Sequence, residues 1–405
     1  MRTVSYASSA AMPAAPRERD PYVKVQRTGR SRSKAVTLAL TGALALAACG
    51  TDDNNSSKGS GNKSSSSSGA SNAAATIGGA DCATGTITAS GSSAQENAMQ
   101  KWIEEYQGTC SGATINYQAV GSGAGIQAFI QGSTDFAGSD SALKEEEQPQ
   151  ADKRCSSGKA INIPMVTGPI AVAYNLQGVD SLVLDGPTLA QIFAGKIKTW
   201  DDAAIKKLNG DAKLPSTPIQ PIHRSDSSGT TDNFTKYLAA AAPSDWTFGN
   251  AKEWKAPGGQ GAAKSAGVTQ STKTAPGAIT YVEWSFAKNA SLGVAKIATG
   301  AGDPVELTGE SAGKAVAAAK VAGTAPDLSL KLDYTTKAAG AYPIILVTYE
   351  IACDKGLDAD KAKFVKSFLT YTASDEGQKV ISDLYYAPLP SDIATKVRES
   401  VTTIS

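Results

Sequence analysis

The pattern that most constrains this chain occurs three times: an apolar, strand-like run, a turn of small polar residues, then a helical period. Residues 86–90 lead into Gly91-Ser92-Ser93, followed by a helical pattern through Met99, Trp102, Ile103 and Tyr106. Residues 114–120 lead into Gly121-Ser122-Gly123-Ala124-Gly125 and a helix with Ile126, Phe129 and Ile130. Residues 218–222 lead into His223-Arg224-Ser225-Asp226-Ser227-Ser228-Gly229-Thr230 and a helix with Phe234 and Tyr237. Strand, short turn and helix in repetition predict an α/β chain with parallel pairing. Two longer apolar runs stand apart. Residues 161–175, interrupted by Pro164, Gly168 and Pro169, are long enough to leave one domain and enter another. Residues 342–352 are long enough to return, with a helix over 361–372 completing the first domain. A chain of 405 residues, 41% hydrophobic, supports two such cores.

In open α/β sheets ligands bind beyond the carboxyl ends of strands, where helix N-termini present free amides and a positive dipole end. All three turns fit that position. Serine at a helix start also reads as an ordinary cap. Capping, however, does not call for an Arg and an Asp in one turn, as at Arg224 and Asp226.

Charge and composition remove several function classes. Lys and Arg total 39 against 38 Asp and Glu, with no basic excess for a dedicated nucleic-acid binder. The single histidine, His223, excludes a His-rich metal site. GSGAGI at 121–126 is not a dinucleotide fingerprint, and no Gly-Lys pair is followed by Ser or Thr, so no P-loop exists. No cofactor and no metal is expected.

The N-terminal 48 residues hold eight basic and two acidic side chains, a net of +6, which leaves −5 for the remainder. Arg27, Arg30, Arg32 and Lys34 precede an apolar stretch over 35–48, suited to a signal-peptide core and short for a membrane span. It ends Leu46-Ala47-Ala48-Cys49-Gly50, a bacterial lipobox pattern in which Cys49 carries the lipid. Residues 1–48 thus read as a lipoprotein signal peptide. Residues 49–80, rich in Ser, Gly and Asn, read as a lipid-anchored disordered linker reaching roughly 30 Å. The expected location is outside the cytoplasm, on the outer face of the cell membrane. Cys82, Cys110, Cys155 and Cys353 remain, with no CxxC pair. Cys82 and Cys110 each precede a strand start, and neighbouring parallel strands start side by side. We therefore expect Cys82–Cys110 and Cys155–Cys353, although spacing alone allows three connectivities.

Six segments carry a family resemblance: ITASGSSAQ (87–95), NYQAVGSGAG (116–125), DFAGSD (135–140), LDGPTLAQIFAGKIKTWDDAAIKKLN (184–209), HRSDSSGTTDNF (223–234) and PGAITYVEWSFAK (276–288). Together they resemble the phosphate-binding lipoproteins of bacterial high-affinity phosphate ABC transporters, from about residue 84 to the C-terminus. The resemblance implies a type II periplasmic-binding fold: two α/β domains with mixed, mainly parallel sheets joined by a two-stranded hinge. Domain I would comprise 84–166 plus 344–405, and domain II 167–343. It also implies the ligand set: Ser93, Ala94, Ser122, Asp140, Arg224, Ser228, Gly229 and Thr230, with Asp226 orienting Arg224. Where the family often has Thr-Phe, this chain has Ser93-Ala94, a smaller apolar wall. Asp140 would accept a proton-bearing anion and reject fully ionised sulfate; taken alone, it also reads as the cap of a following helix. The implied protein is a monomeric, non-enzymatic binding module. It delivers inorganic phosphate to permease subunits served by a separate cytoplasmic ATPase. A different class remains open from the residues: a secreted phosphatase or serine hydrolase using Ser228 with His223. So does another oxyanion, such as arsenate or a phosphonate.

Overall fold

The computed structural model describes residues 75–210 and 212–405. The signal peptide, Cys49 and linker residues 50–74 lie outside the described residues. The end of the expected linker is corrected: Thr76–Ile77 pairs antiparallel with Ala80–Asp81, and Ile77 and Ala80 are buried, because Ile77 packs into the apolar cluster around Trp102 and Tyr106. Nine strands form the main sheet, numbered here in chain order. They are β1 (Gly85–Gly91), β2 (Ala113–Ala119), β3 (Phe136–Ser139), β4 (Ala160–Tyr174) and β5 (Gln220–Arg224). Then come β6 (Gln260–Ala262), β7 (Ala278–Glu283), β8 (Gly293–Val294) and β9 (Ile345–Cys353). Their order is β2-β1-β3-β9-β4-β7-β5-β6, with β8 also on β4. Five helices bear on the site and its support: α1 (Glu96–Thr109), α2 (Ser122–Ile130), α3 (Gly229–Ala241), α4 (Lys264–Thr274) and α5 (Ala359–Ala373).

The sheet is mixed. β1 runs parallel to β2 and β3, and β5 runs parallel to β6 and β7. Every antiparallel pairing involves β4 or β9. The parallel pairs come from the strand–turn–helix repeats, because a helical crossover returns the chain in the same direction. The two long strands run against them. β4 is buried along its whole length, so its sequence shows continuous apolar character rather than alternation. Its residues Ala160 to Pro169 pair with β9, and Ile170 to Tyr174 pair with β7. β4 therefore passes from one strand group to the other between Pro169 and Ile170, and β9 begins opposite Pro169, at Ile345. The register shifts between Thr348 and Tyr349, which face Val166 and Pro164. Pro164 has no N–H to give the ladder, and a bulge absorbs that loss.

Two large apolar clusters flank the crossing. One gathers Trp200, Phe193, Phe234 and Tyr281 with the Ile170 end of β4. The other gathers Trp102, Tyr106, Phe364 and Phe368 with Ile161 and Ile163 at the other end. The two fully buried indoles of these clusters each find an acceptor: Trp102 Nε1 donates to Gly377 O at 2.7 Å and Trp200 Nε1 to Gly277 O at 3.0 Å. Both disulfides join the expected pairs, with Cα separations of 5.2 Å for Cys82–Cys110 and 5.3 Å for Cys155–Cys353. The first sits where neighbouring β1 and β2 start, at Gly85 opposite Ala113. The second joins the end of β9 to the loop before β4, where Cys353 faces Ala160.

Candidate anion-binding site

Strand ends and helix starts converge as the turns require. β1 ends at Gly91, β3 at Ser139 just before Asp140, β5 at Arg224 and β7 at Glu283. The starts of α2, α3 and α4 face them. Asp140 is 3% exposed. Its Oδ1 accepts from Ser92 Oγ and from Thr348 Oγ1 (2.8 Å), and its Oδ2 accepts from Ser122 Oγ (3.2 Å). A carboxylate offers about four acceptor positions, so one remains on Oδ2. Asp140 caps no helix: the next helical residue is Gln148.

Arg224 is 2% exposed. Its Nε donates to Asp226 Oδ1 at 2.7 Å, and its Nη2 donates to Asp226 Oδ2. This is the bidentate fork that fixes a guanidinium. Asp226 Oδ1 also accepts from the Lys264 amide at 2.9 Å, tying the turn to the start of α4. Burial alone would raise the Asp226 pKa, yet the Arg224 bonds and charge hold it below the ordinary aspartate value. Arg224 Nη1 reaches Thr230 Oγ1 and Ser265 Oγ, both at 3.4 Å.

Ser93 Oγ lies 3.0 Å from Ser265 Oγ and accepts from the Ser265 amide. The Ala94 amide donates to Ser92 Oγ at 3.0 Å, and Ala94 O accepts from Tyr386 Oη at 2.7 Å. Ser228 caps α3 by accepting from the Thr231 amide at 3.2 Å. Gly229 and Thr230 are the first two residues of α3, where N–H groups have no intrahelical acceptor. Ser228 therefore caps a helix whose first amides, at Gly229 and Thr230, are left without an intrahelical acceptor.

Two glycines allow the halves of the site to meet. A Cβ on Gly229 would lie 2.6 Å from Asp140 Cβ and 2.7 Å from Ser122 Oγ. Gly121 has φ +96°, and a Cβ there would lie 2.5 Å from Asp226 Oδ2. Asn233 Nδ2 donates to Asp140 O at 2.7 Å, and the Gly123 amide donates to Ser227 O at 3.0 Å. A buried ion pair, Lys252 Nζ to Glu147 at 2.9 Å, joins the same two sides.

Three carboxylates crowd one guanidinium here. Burial, then the charge of Glu283, pushes Asp140 up to about 6. Nearby on β9, Glu350 is fully buried, and neither of its oxygens has a hydrogen-bond partner. Burial and the Asp140 charge push it up to about 8, from an ordinary 4.5. An acid whose pKa rises on folding stabilises the fold fully below its unfolded value, and that contribution is lost as pH rises through the folded value. We expect the melting temperature to fall between about pH 4.5 and 8 on this account, and Glu350→Gln to flatten that slope. Thermal denaturation across the range in both proteins measures it; equal slopes would remove Glu350 as the cause.

The hydrolase reading finds little geometric support. The His223 ring stacks on Trp254 with centroids 4.9 Å apart, its Nδ1 lies 3.0 Å from Arg224 O, and Ser228 Oγ is engaged with the Thr231 amide. Four residues bear on the site that the sequence reading left out of the ligand set. Ser92 lay in the first turn and Glu283 in a quoted segment, so both were visible without a role. Ser265 and Thr348 carried no signal: each is one hydroxyl residue in a helical or strand run.

A mixed α/β sheet crossed by two long strands, with helix starts meeting at a buried, arginine-bearing site, is the architecture of a type II periplasmic binding protein. The PBP superfamily domain model matches residues 66–376. Phosphate-binding protein PstS 3 of Mycobacterium tuberculosis is 44% identical over 375 residues, covering 92% of this chain and 98% of that one. PstS of Methanocaldococcus jannaschii is 35% identical over 334 residues, covering 76% and 83%. Among solved structures, a high affinity periplasmic phosphate-binding protein (PfluDING) bound with phosphate is 24% identical, with a TM-score of 0.63 covering 78% of this chain and 93% of that one. The chain belongs to the PstS family of phosphate-binding proteins within the PBP superfamily.

Proposed function

We propose that this chain is the extracytoplasmic phosphate-binding component of an ABC importer. Inorganic phosphate is held between domain I (84–166 plus 344–405) and domain II (167–343), which close about β4 and β9. The observation that carries the reading is the pairing of opposites in one buried place. Arg224 and the α3 amides favour an anion, while Asp140 Oδ2 keeps an acceptor position for a proton. An anion that bears a proton satisfies both; sulfate leaves the carboxylate facing a lone pair.

In this reading Arg224, the Gly229 and Thr230 amides and the helix start behind Ser228 bind the anion. Ser93 and Ser122 exchange an internal hydroxyl partner for an anion oxygen, and the backbone at Ala94 lines the wall. Asp226 holds the Arg224 fork. Closure excludes water and strengthens each bond. In this reading the protein binds and releases the anion without covalent chemistry. Cys49 carries the lipid anchor, and the Ser/Gly-rich segment between it and the folded body tethers a monomer near the permease, whose ATPase is a separate subunit. Calorimetry on residues 75–405, stripped of carried-over anion, tests the reading. One-to-one phosphate binding with no sulfate response is expected. Binding of neither anion would overturn it, and equal binding of both would overturn the role of Asp140.

A further inference from the structure

We propose that Glu283 is a positioning residue of the anion site, setting where the Thr230 and Ser265 hydroxyl protons point and thereby holding Arg224 from its second side. The inference rests on the phosphate-binding reading above and adds a residue to it. Glu283 ends β7 and is 1% exposed. β7 runs parallel to β5, so its carboxyl end lies beside the strand end that bears Arg224. Glu283 Oε1 accepts from Thr230 Oγ1 at 2.6 Å, and Oε2 accepts from Ser265 Oγ at 2.6 Å. These hydroxyls come from the first turns of α3 and α4, so one carboxylate ties two helix starts to one strand end.

A hydroxyl has a single proton. Both protons go to Glu283, so both oxygens turn lone pairs to Arg224 Nη1, at 3.4 Å each. Asp226 holds the other edge of the guanidinium. The fork is thus clamped on two sides, and Ser93, 3.0 Å from Ser265 Oγ, is drawn into the same chain of bonds. Thr230 then serves an anion through its amide, because its hydroxyl proton is committed. Without the Glu283 carboxylate the two hydroxyls are free to donate elsewhere, and Nη1 loses its fixed acceptors.

Electrostatics alone predicts the opposite sign. A buried negative charge beside an anion site repels the anion, so its removal would tighten binding of every anion. The direction of the effect therefore separates positioning from simple charge.

The test measures phosphate affinity by calorimetry, with melting temperature recorded alongside, for wild type, Glu283→Ala, Glu283→Gln, Ser265→Ala and the double variants. Wild type must first bind phosphate; if it does not, the phosphate reading fails and not this assignment. Given binding, Glu283→Ala is expected to weaken it about 10- to 100-fold, as loss of hydrogen bonds to a charged group does. Glu283→Gln keeps one acceptor oxygen and is expected to recover part of that loss. Ser265→Ala is expected to cost less in the Glu283→Ala background than alone, because the two act through one bond. If Glu283→Ala does not fold, the cycle of Glu283→Gln with Ser265→Ala decides in the same way. Unchanged or tighter phosphate binding in the Glu283 variants, or losses that simply multiply with Ser265→Ala, would overturn the assignment.

Discussion

Asp140→Asn is expected to abolish the preference for phosphate over sulfate while leaving a folded, anion-binding protein. A site built to hydrogen-bond a ligand group rejects an analogue lacking it by about 10⁴–10⁵. We expect that ratio to collapse to within about tenfold in the variant, mainly through sulfate binding that was absent before. The reason lies in which acceptor position is open. Oδ1 is occupied by Ser92 and Thr348, and Oδ2 keeps one position beside Ser122. An asparagine can keep its oxygen toward Ser92 and Thr348, which puts its NH₂ where Oδ2 stood. A donor then faces the anion, and sulfate oxygens are accepted. The same logic gives a pH dependence for wild type. Asp140 lies at about 6, so its carboxylate is present above that pH and gains a proton below it. Sulfate discrimination should fade as pH falls through that value. Competition of sulfate against phosphate in both proteins, over a pH series, measures this. A variant that still excludes sulfate, or a wild-type ratio that ignores pH, would sink the argument.

Arg224→Ala is expected to weaken phosphate binding by about 30- to 4,000-fold, the range for truncating one partner of a buried, hydrogen-bonded charge pair at 2–5 kcal/mol. Arg224 is the cation that reaches the strand ends, and its loss leaves Asp140, Asp226 and Glu283 without compensation. The variant should also melt lower, because Asp226 loses both guanidinium bonds and is partly buried. Arg224→Lys separates charge from geometry. A lysine restores a point charge but not the fork, so it should recover part of the affinity. Full recovery by lysine would mean that charge alone matters and that the Asp226 clamp is incidental. An unchanged affinity in Arg224→Ala would remove Arg224 from the site.

Much of this site is legible in residue order, for a specific reason. Helix starts that follow strands are local features. Gly121 before Ser122, and Ser228 before Gly229 and Thr230, announce themselves by residue type at a turn. Arg224 and Asp226 are two residues apart, so their pairing is local too. The Cys82–Cys110 pair was reachable because adjacent parallel strands start together. Family resemblance, not residue pattern, nominated Asp140 as a ligand.

Other parts are invisible to any local pattern. Thr348 and Asp140 are 208 residues apart, and Ser93 and Ser265 are 172 apart. A hydroxyl residue in a strand or helix has no periodicity that announces its partner. The sheet's mixed character was also hard to read. A run such as 161–175 shows burial on both faces, but burial does not reveal which way the neighbouring strands run.

By itself, then, the sequence determined what depends on neighbours along the chain: the α/β repeat, the helix starts at Ser122 and Gly229, and the Arg224–Asp226 pair. Tertiary structure alone decided what depends on neighbours in space. It brought Glu283 beside Thr230 and Ser265, turned Thr348 onto Asp140 at a bulge, and buried Glu350 without a partner. A proton donor and its acceptor need only be about 3 Å apart in the folded chain, and that distance has no counterpart in residue order.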